Sequence, residues 1–193
     1  GSSVPNAMVQ LSPVTQFRSG AGYQYEDTVI YGFSHTNKGH WNLLHLPVLP
    51  VTGNVSSGDY ASTYSHSNES ARPGYYQVFL ERYGVNAELT STLRCAYHKY
   101  TFRPDDDKKV LVDITRTNNG VRDWSIQKVD DYTFSGNQDA EGNIRFYAVS
   151  NYKIEDIRQL KNGEHEVSVV SFADSKGSKP LELKIGFSFV SID

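Results

Sequence analysis

Val85-Asn86-Ala87-Glu88-Leu89-Thr90-Ser91-Thr92-Leu93-Arg94-Cys95-Ala96-Tyr97 alternates with a period of two. Val85, Ala87, Leu89, Leu93, Cys95 and Tyr97 fall on one face, and Glu88, Thr90, Thr92 and Arg94 on the other. Successive side chains of an extended chain point to opposite sides, so the stretch reads as one long strand with a single buried face. On that reading Cys95 packs inside as a small apolar group. The same pattern returns in 181–192, where Leu181, Leu183, Ile185, Phe187, Phe189 and a polar Ser191 alternate with Glu182, Lys184, Gly186 and Ser188. Further strand candidates are 29–33, 43–49, 75–80, 110–114, 125–129, 144–149 and 167–172.

Turn-forming residues punctuate these runs: Asn118-Asn119-Gly120, Ser135-Gly136-Asn137, Glu141-Gly142-Asn143, Asn162-Gly163 and Ser175-Lys176-Gly177. Ile154, Ile157 and Leu160 give 153–161 a faint helical spacing, but a hairpin strand suits it better. Residues 53–74, rich in Ser, Gly, Asn and Tyr, read as loops with one short strand. Many short strands separated by turns predict an all-β, antiparallel β-sandwich with little or no helix.

The chain has 193 residues, enough for one domain that buries about 70% of its unfolded surface without staples. Its 12% aromatic content and ordinary charge exclude collagen, coiled coil and disorder. Net charge is −3, and the densest basic cluster, Lys108-Lys109, adjoins Asp105-Asp106-Asp107, so nucleic acid is not the expected partner. No run approaches the roughly 18 apolar residues of a membrane span. A single cysteine excludes an internal disulfide framework and a Cys-built zinc site. Residues 1–3, Gly-Ser-Ser, read as a cloning remnant that replaces a natural leader, with one domain over 4–193.

Gly32-Phe33-Ser34-His35-Thr36-Asn37-Lys38-Gly39-His40-Trp41 is the first place to look for chemistry. A strand ends at Phe33 and a polar loop follows. Trp41 offers a flat apolar face with one N–H donor. Sugar rings have apolar C–H faces rimmed by hydroxyls, so an exposed Trp41 beside His35, His40, Asn37 and Ser34 suits carbohydrate. The competing reading makes Trp41 a core residue and the histidines loop hydrogen-bonders. His35, His40 and His45 are five apart, which matches neither an i, i+4 helical metal pair nor one face of a strand. Residues 137–143 echo the start of a calcium loop, but position twelve is Ala148 where a bidentate Glu is needed, so a hairpin tip is expected. Glu69, Glu81, Glu88 and Asp113 are available carboxylates, but no spacing marks the opposed pair that glycoside hydrolysis requires. A G-x-S-x-G nucleophile elbow is absent from the sequence.

These segments, taken in order, resemble a known family. The carrying residues are Met8-Val9-Gln10-Leu11-Ser12-Pro13, Ala21-Gly22-Tyr23-Gln24-Tyr25, Gly32-Phe33-Ser34-His35-Thr36, Ser65-His66, Pro73-Gly74-Tyr75-Tyr76, Ala87-Glu88-Leu89-Thr90, Tyr97-His98-Lys99-Tyr100-Thr101-Phe102 and Ile185-Gly186-Phe187-Ser188-Phe189-Val190-Ser191. The chain resembles the N-terminal domain of glycoside hydrolase family 92, the calcium-dependent α-mannosidases, over nearly its whole length. The resemblance implies a galactose-mutarotase-like supersandwich followed, after Asp193, by a larger (α/α)6 barrel that holds the catalytic carboxylates and most calcium contacts.

The resemblance further implies that the parent is an exo-acting inverting enzyme, α-1,2 by preference, acting on mannose-containing glycans in the periplasm or outside the cell. In it, a carboxylic acid protonates the glycosidic oxygen while a carboxylate activates water on the opposite ring face. Calcium would hold sugar hydroxyls. This domain alone is then inactive, with no catalytic or metal residue of its own. Its expected contribution is the leaving-group subsite, with Trp41 first, His35 as the motif histidine and His40 as a loop neighbour. An independent carbohydrate-binding module and a purely structural sandwich are the alternatives.

Overall fold

The structure, a computed structural model, describes residues 2–38, 41–163 and 165–190. Two antiparallel sheets make up the body. The six-stranded sheet runs Ser12–Val14, Gly32–Ser34, Val48–Val51, Lys109–Val112, His165–Phe172, Ile154–Asn162. The eight-stranded sheet runs Asp123–Lys128, Thr133–Ala140, Gly142–Ser150, Leu181–Ser188, Cys95–Thr101, Val85–Ser91, Tyr75–Leu80, Glu69–Arg72. Their apolar inner faces meet in one continuous core that includes Phe33, Val48, Val110, Val112 and Val170 from one sheet and Val78, Leu89, Tyr100, Phe146, Leu183 and Ile185 from the other. This is the sandwich expected from the alternation. Two short ribbons, Val29–Ile30 with Ser62–Thr63 and Asn37–Lys38 with Trp41–Asn42, extend beyond the sheets. The described residues contain one helical turn, a 3-10 turn at His66–Asn68.

The alternating stretch 85–97 is not one strand. It folds back on itself between Ser91 and Cys95, giving Val85–Ser91 and Cys95–Thr101 as hairpin neighbours. Thr92 and Cys95 close the turn through backbone N–H to carbonyl (2.8 Å), and the Thr92 hydroxyl accepts from the Cys95 N–H (3.2 Å). Cross-strand partners share a face, and Ser91 pairs with Ala96. The inward parity therefore passes from odd to even numbers: Val85, Ala87 and Leu89 are buried, then Ala96, His98 and Tyr100. Leu93 is at the turn, 57% exposed, and Cys95 is on the outer face. The expectation of a buried Cys95 is thus reversed. An accessible thiol follows: native protein is expected to take up one equivalent of maleimide without loss of β-structure. Labelling only after denaturant is added would contradict the placement.

Ser135-Gly136-Asn137 is likewise no turn. It lies inside Thr133–Ala140, with Gly136 paired to Ile126 on one side and Phe146 on the other. A Cβ at Gly136 would fall 1.9 Å from the Ser125 carbonyl oxygen and 2.8 Å from the Phe146 ring. Glycine is there for close approach rather than for reversal. Gly136→Ala is expected to destabilise the domain by about 3 kcal/mol, the upper end of overpacking costs, as a fall in urea midpoint at constant m-value. A change below about 1 kcal/mol would show that the strands part easily here.

The other elements follow the sequence more closely. Ile154–Asn162 forms the anticipated hairpin with His165–Phe172, turning at Gly163. The last strand is Leu181–Ser188, with Leu181, Leu183, Ile185 and Phe187 inside and Phe189 beyond its end. The strand expected over 43–49 starts only at Val48. Leu44 (φ 57°) and Leu46 (φ 49°) are in the left-handed region, although both are fully buried. Their N–H groups find side-chain acceptors instead of a ladder: Asn42 Oδ1 for Leu44 (2.9 Å) and Gln138 Oε1 for Leu46 (3.0 Å).

Candidate functional site at the Trp41 end

Gly32–Ser34 carries the chain out of the six-stranded sheet, and the Asn37–Lys38 and Trp41–Asn42 ribbon stands at its end. The Trp41 indole is 36% exposed. It packs over Gly20, where a Cβ would lie 3.2 Å from the ring. Trp41 is therefore a half-open surface aromatic, seated rather than loose. His40 lies outside the described residues.

Asn42 ties the surroundings together. Its N–H donates to the Gly20 carbonyl (2.7 Å), and its side chain reaches Ser34 Oγ (3.2 Å) and the Ala21 carbonyl (3.4 Å). Asn118 Nδ2 donates to the carbonyls of both Asn42 (2.6 Å) and Ser19 (2.7 Å). Gly22, at φ 71°, leaves no room for a side chain, because a Cβ would sit 2.7 Å from the Asn42 amide. The loop beneath Trp41 is thus bolted to the Trp41 ribbon and to 118. Neither Asn42 nor Asn118 stands out in the sequence as a site residue. Asn118 reads there as part of a turn, and its role depends on contacts 76 and 99 residues away.

His35 is on the other side of this layer, and the structure corrects its expected contact with ligand. It has no exposed surface. Its Nε2 is 3.0 Å from His98 Nε2, and His98 Nδ1 is 2.7 Å from the Tyr100 hydroxyl. The Phe187 ring lies against it at 4.7 Å. Loss of hydration in this apolar setting lowers the His35 pKa to about 3 and holds His98 well below the ordinary value. Both rings are neutral, one donating to the other. His35 can act on a bound molecule only by supporting the Thr36 and Asn37 backbone above it. His45 is buried as well, paired through Nδ1 with Thr36 Oγ1 (2.7 Å), and burial lowers its pKa to about 4.

The carboxylates are engaged elsewhere. Asp113, fully buried, accepts from Arg116 Nε (2.8 Å), His165 Nε2 (3.1 Å) and the Tyr60 hydroxyl. Glu88 pairs with Lys99 (2.9 Å) and accepts from Tyr75 (3.0 Å). Glu69 accepts from Tyr23, Tyr76 and His66. Asp139, in the stretch that echoes a calcium loop, is on the Thr133–Ala140 strand and pairs with Arg122 (2.5 Å). Among the described residues no three His, Cys, Asp or Glu side chains converge as metal ligands.

Fold and surface together define a class: a large antiparallel β-sandwich with a rigid aromatic loop layer at one end. The profile of the glycosyl hydrolase family 92 N-terminal domain matches residues 1–188, and the chain belongs to that family. Among solved structures it is similar to the family GH92 alpha-mannosidase BT3965 from Bacteroides thetaiotaomicron, at 26% identity and TM-score 0.87 over 99% of this chain. The fold is shared with the family GH92 inverting mannosidase BT2199 from Bacteroides thetaiotaomicron VPI-5482 (22% identity, TM-score 0.82, 98% of this chain). It is shared too with the GH92 family glycosyl hydrolase ccman5 (23%, 0.79, 97%). The chain spans 31%, 28% and 30% of those chains respectively. Among curated proteins no relative matches.

Proposed function

We propose that this chain is the N-terminal sandwich of an exo-acting, inverting α-mannosidase, α-1,2 by preference, and that Trp41 shapes the subsite for the leaving-group sugar. The observation that carries the reading is the family match over 1–188 in a chain spanning under a third of its structural relatives. A following (α/α)6 domain would supply the acid, the base and the calcium ligands. The described residues here are asked to hold no metal. Their part is positioning: a rigid aromatic face, locked by Asn42 and Asn118, that orients the departing sugar while chemistry occurs next door. Mannose-containing glycans in the periplasm or outside the cell are the substrates this reading implies.

In the complete protein, Trp41→Ala is expected to lower kcat/KM on α-mannobiose roughly 30-fold or more, as for loss of an aromatic anchor worth ~2 kcal/mol. The 193-residue chain by itself should show no turnover. Activity in the isolated chain, or an unaffected Trp41→Ala parent, would defeat the assignment. A second reading, an autonomous carbohydrate-binding module, is favoured by one observation: Trp41 is already seated and half open without any partner. Saturable quenching of Trp fluorescence by mannobiose, lost in Trp41→Ala, would establish it.

A further inference from the structure

One residue past Gly20, Ala21 lines a separate cleft of about 600 Å³, whose wall holds Tyr23, Tyr25, His66, Glu69 and Tyr76. That volume is within the ~300–1,000 Å³ of small-molecule sites. Glu69, its side chain only 10% exposed, organises the wall. Tyr76 donates to Oε1 (2.6 Å), His66 Nδ1 to Oε2 (2.5 Å), and the Tyr23 hydroxyl reaches both oxygens (3.2 and 3.1 Å). His66 Nε2 points to the Tyr25 carbonyl (2.6 Å). Acceptors face both ring nitrogens of His66, an arrangement satisfied in full only by the protonated ring, and those bonds raise its pKa.

Tyr25 lies flat on that ring, 4.0 Å between centroids and 5° between planes, while remaining 64% exposed. A structural tie accounts for Tyr23, Tyr76 and His66. It does not account for an exposed ring held parallel to the imidazole. Fixing the inner face of Tyr25 turns its outer face into a rigid platform. The wall's strong donors are already committed to Glu69 and the Tyr25 carbonyl, which leaves phenol oxygens as acceptors. Glu69, with Glu26 and Asp27 beside His66, disfavours anions. The surface therefore suits a neutral ligand with an apolar C–H face and hydroxyl protons to give.

We infer that this cleft is a saccharide subsite, stacking one neutral hexose on Tyr25 and taking a hydroxyl proton on the Tyr23 oxygen, independently of Trp41. The choice of mannose as first probe rests on the function proposed above. The test follows the His66 and tyrosine ring resonances of the 193-residue chain by NMR during titration with methyl α-D-mannopyranoside, α-mannobiose and methyl α-D-glucopyranoside to tens of millimolar. Saturable shifts at His66 and Tyr25 are expected with at least one of them, with Kd on the order of 1 mM. Tyr25→Ala abolishes them, Tyr25→Phe keeps them and Trp41→Ala leaves them unchanged.

A Tyr25→Ala chain in which His66 still titrates above its ordinary range has kept the Glu69 clamp, so its lost response reads the platform alone. No response to any of the three sugars overturns the inference, as do shifts that survive Tyr25→Ala or vanish with Trp41→Ala. A parent inert on α-mannosides whose cleft still binds sugar defeats the functional reading and leaves the cleft. A mannoside-active parent with a silent His66 defeats the cleft and leaves the function.

Discussion

Stability is expected to fall steeply as pH drops from 6.5 towards 4, driven by His35, His98 and His45. All three have folded pKa values depressed by burial, to about 3 for His35 and about 4 for His45. The unfolded chain takes up protons near 6.5 while the folded chain does not. The stabilisation tied to the neutral rings is thus complete above 6.5 and is lost as pH falls towards the folded values. Each histidine contributes a slope of up to ~1.4 kcal/mol per pH unit, so three give about 4 kcal/mol per unit below roughly pH 6. Against a total stability of about 5–15 kcal/mol, that is enough to unfold the domain by about pH 4.

His66 acts in the opposite direction, because its pKa is raised, but it faces solvent and the effect is screened. The carboxylates with lowered pKa, Glu88 among them, lose their contribution only at lower pH, so the window belongs to the histidines. Urea unfolding at pH 7, 6 and 5 measures the slope. His98→Gln, which can still bond Tyr100, should flatten it by about a third, one histidine of the three. A stability independent of pH between 7 and 5 would contradict the buried, neutral arrangement.

Asp113→Ala is expected to cost about 3–5 kcal/mol, the range for breaking one side of a buried ion pair. Its carboxylate is the shared acceptor for Arg116, His165 and Tyr60. The Arg116 guanidinium lies 4.0 Å over the Phe17 ring and would be left half-buried without its counter-charge. The damage should spread to the irregular segment that Tyr60 anchors, since Tyr83 donates to the Tyr60 carbonyl (2.7 Å). Asp113→Asn, which keeps shape and loses charge, should fall between wild type and alanine. The pairing of Asp113→Leu with Arg116→Met should recover part of the loss, because it removes the orphaned charge. Urea midpoints of wild type and the three variants test this. A loss under about 1 kcal/mol for Asp113→Ala would mean that water replaces the carboxylate freely.

The last strand was legible because its alternation is unbroken, and strand 75–80 because an aromatic and aliphatic run follows the Pro73-Gly74 turn signal. The hairpin at 92–95 was not, for a specific reason. Its loop, Leu93-Arg94, contains none of Gly, Asn, Asp or Pro, and Leu93 continues the apolar parity by coincidence. Gly136 misled in the other direction: a turn residue in a turn-like triplet serves close strand packing. At the site, the residues around Trp41 left open whether its ring is exposed or in the core, and the burial of His35 depends on His98 and Tyr100 from the opposite sheet. His98 and Tyr100 are two apart, so they share a strand face, and that spacing was the one available hint. Glu69 and His66 are three apart, but their meeting with Tyr23 joins segments 46 residues distant.

Leu44 and Leu46 decide where this architecture can be varied. Each holds a backbone conformation that costs a non-glycine residue about 1–2 kcal/mol, and each is kept there by an amide from a separate element, Asn42 and Gln138. An insertion or deletion between Asn42 and Val48 would put both leucines out of phase with those amides and swing the indole away from Gly20. Homologues and grafted loops that retune this rim should therefore keep a constant count in the five residues between Asn42 and Val48.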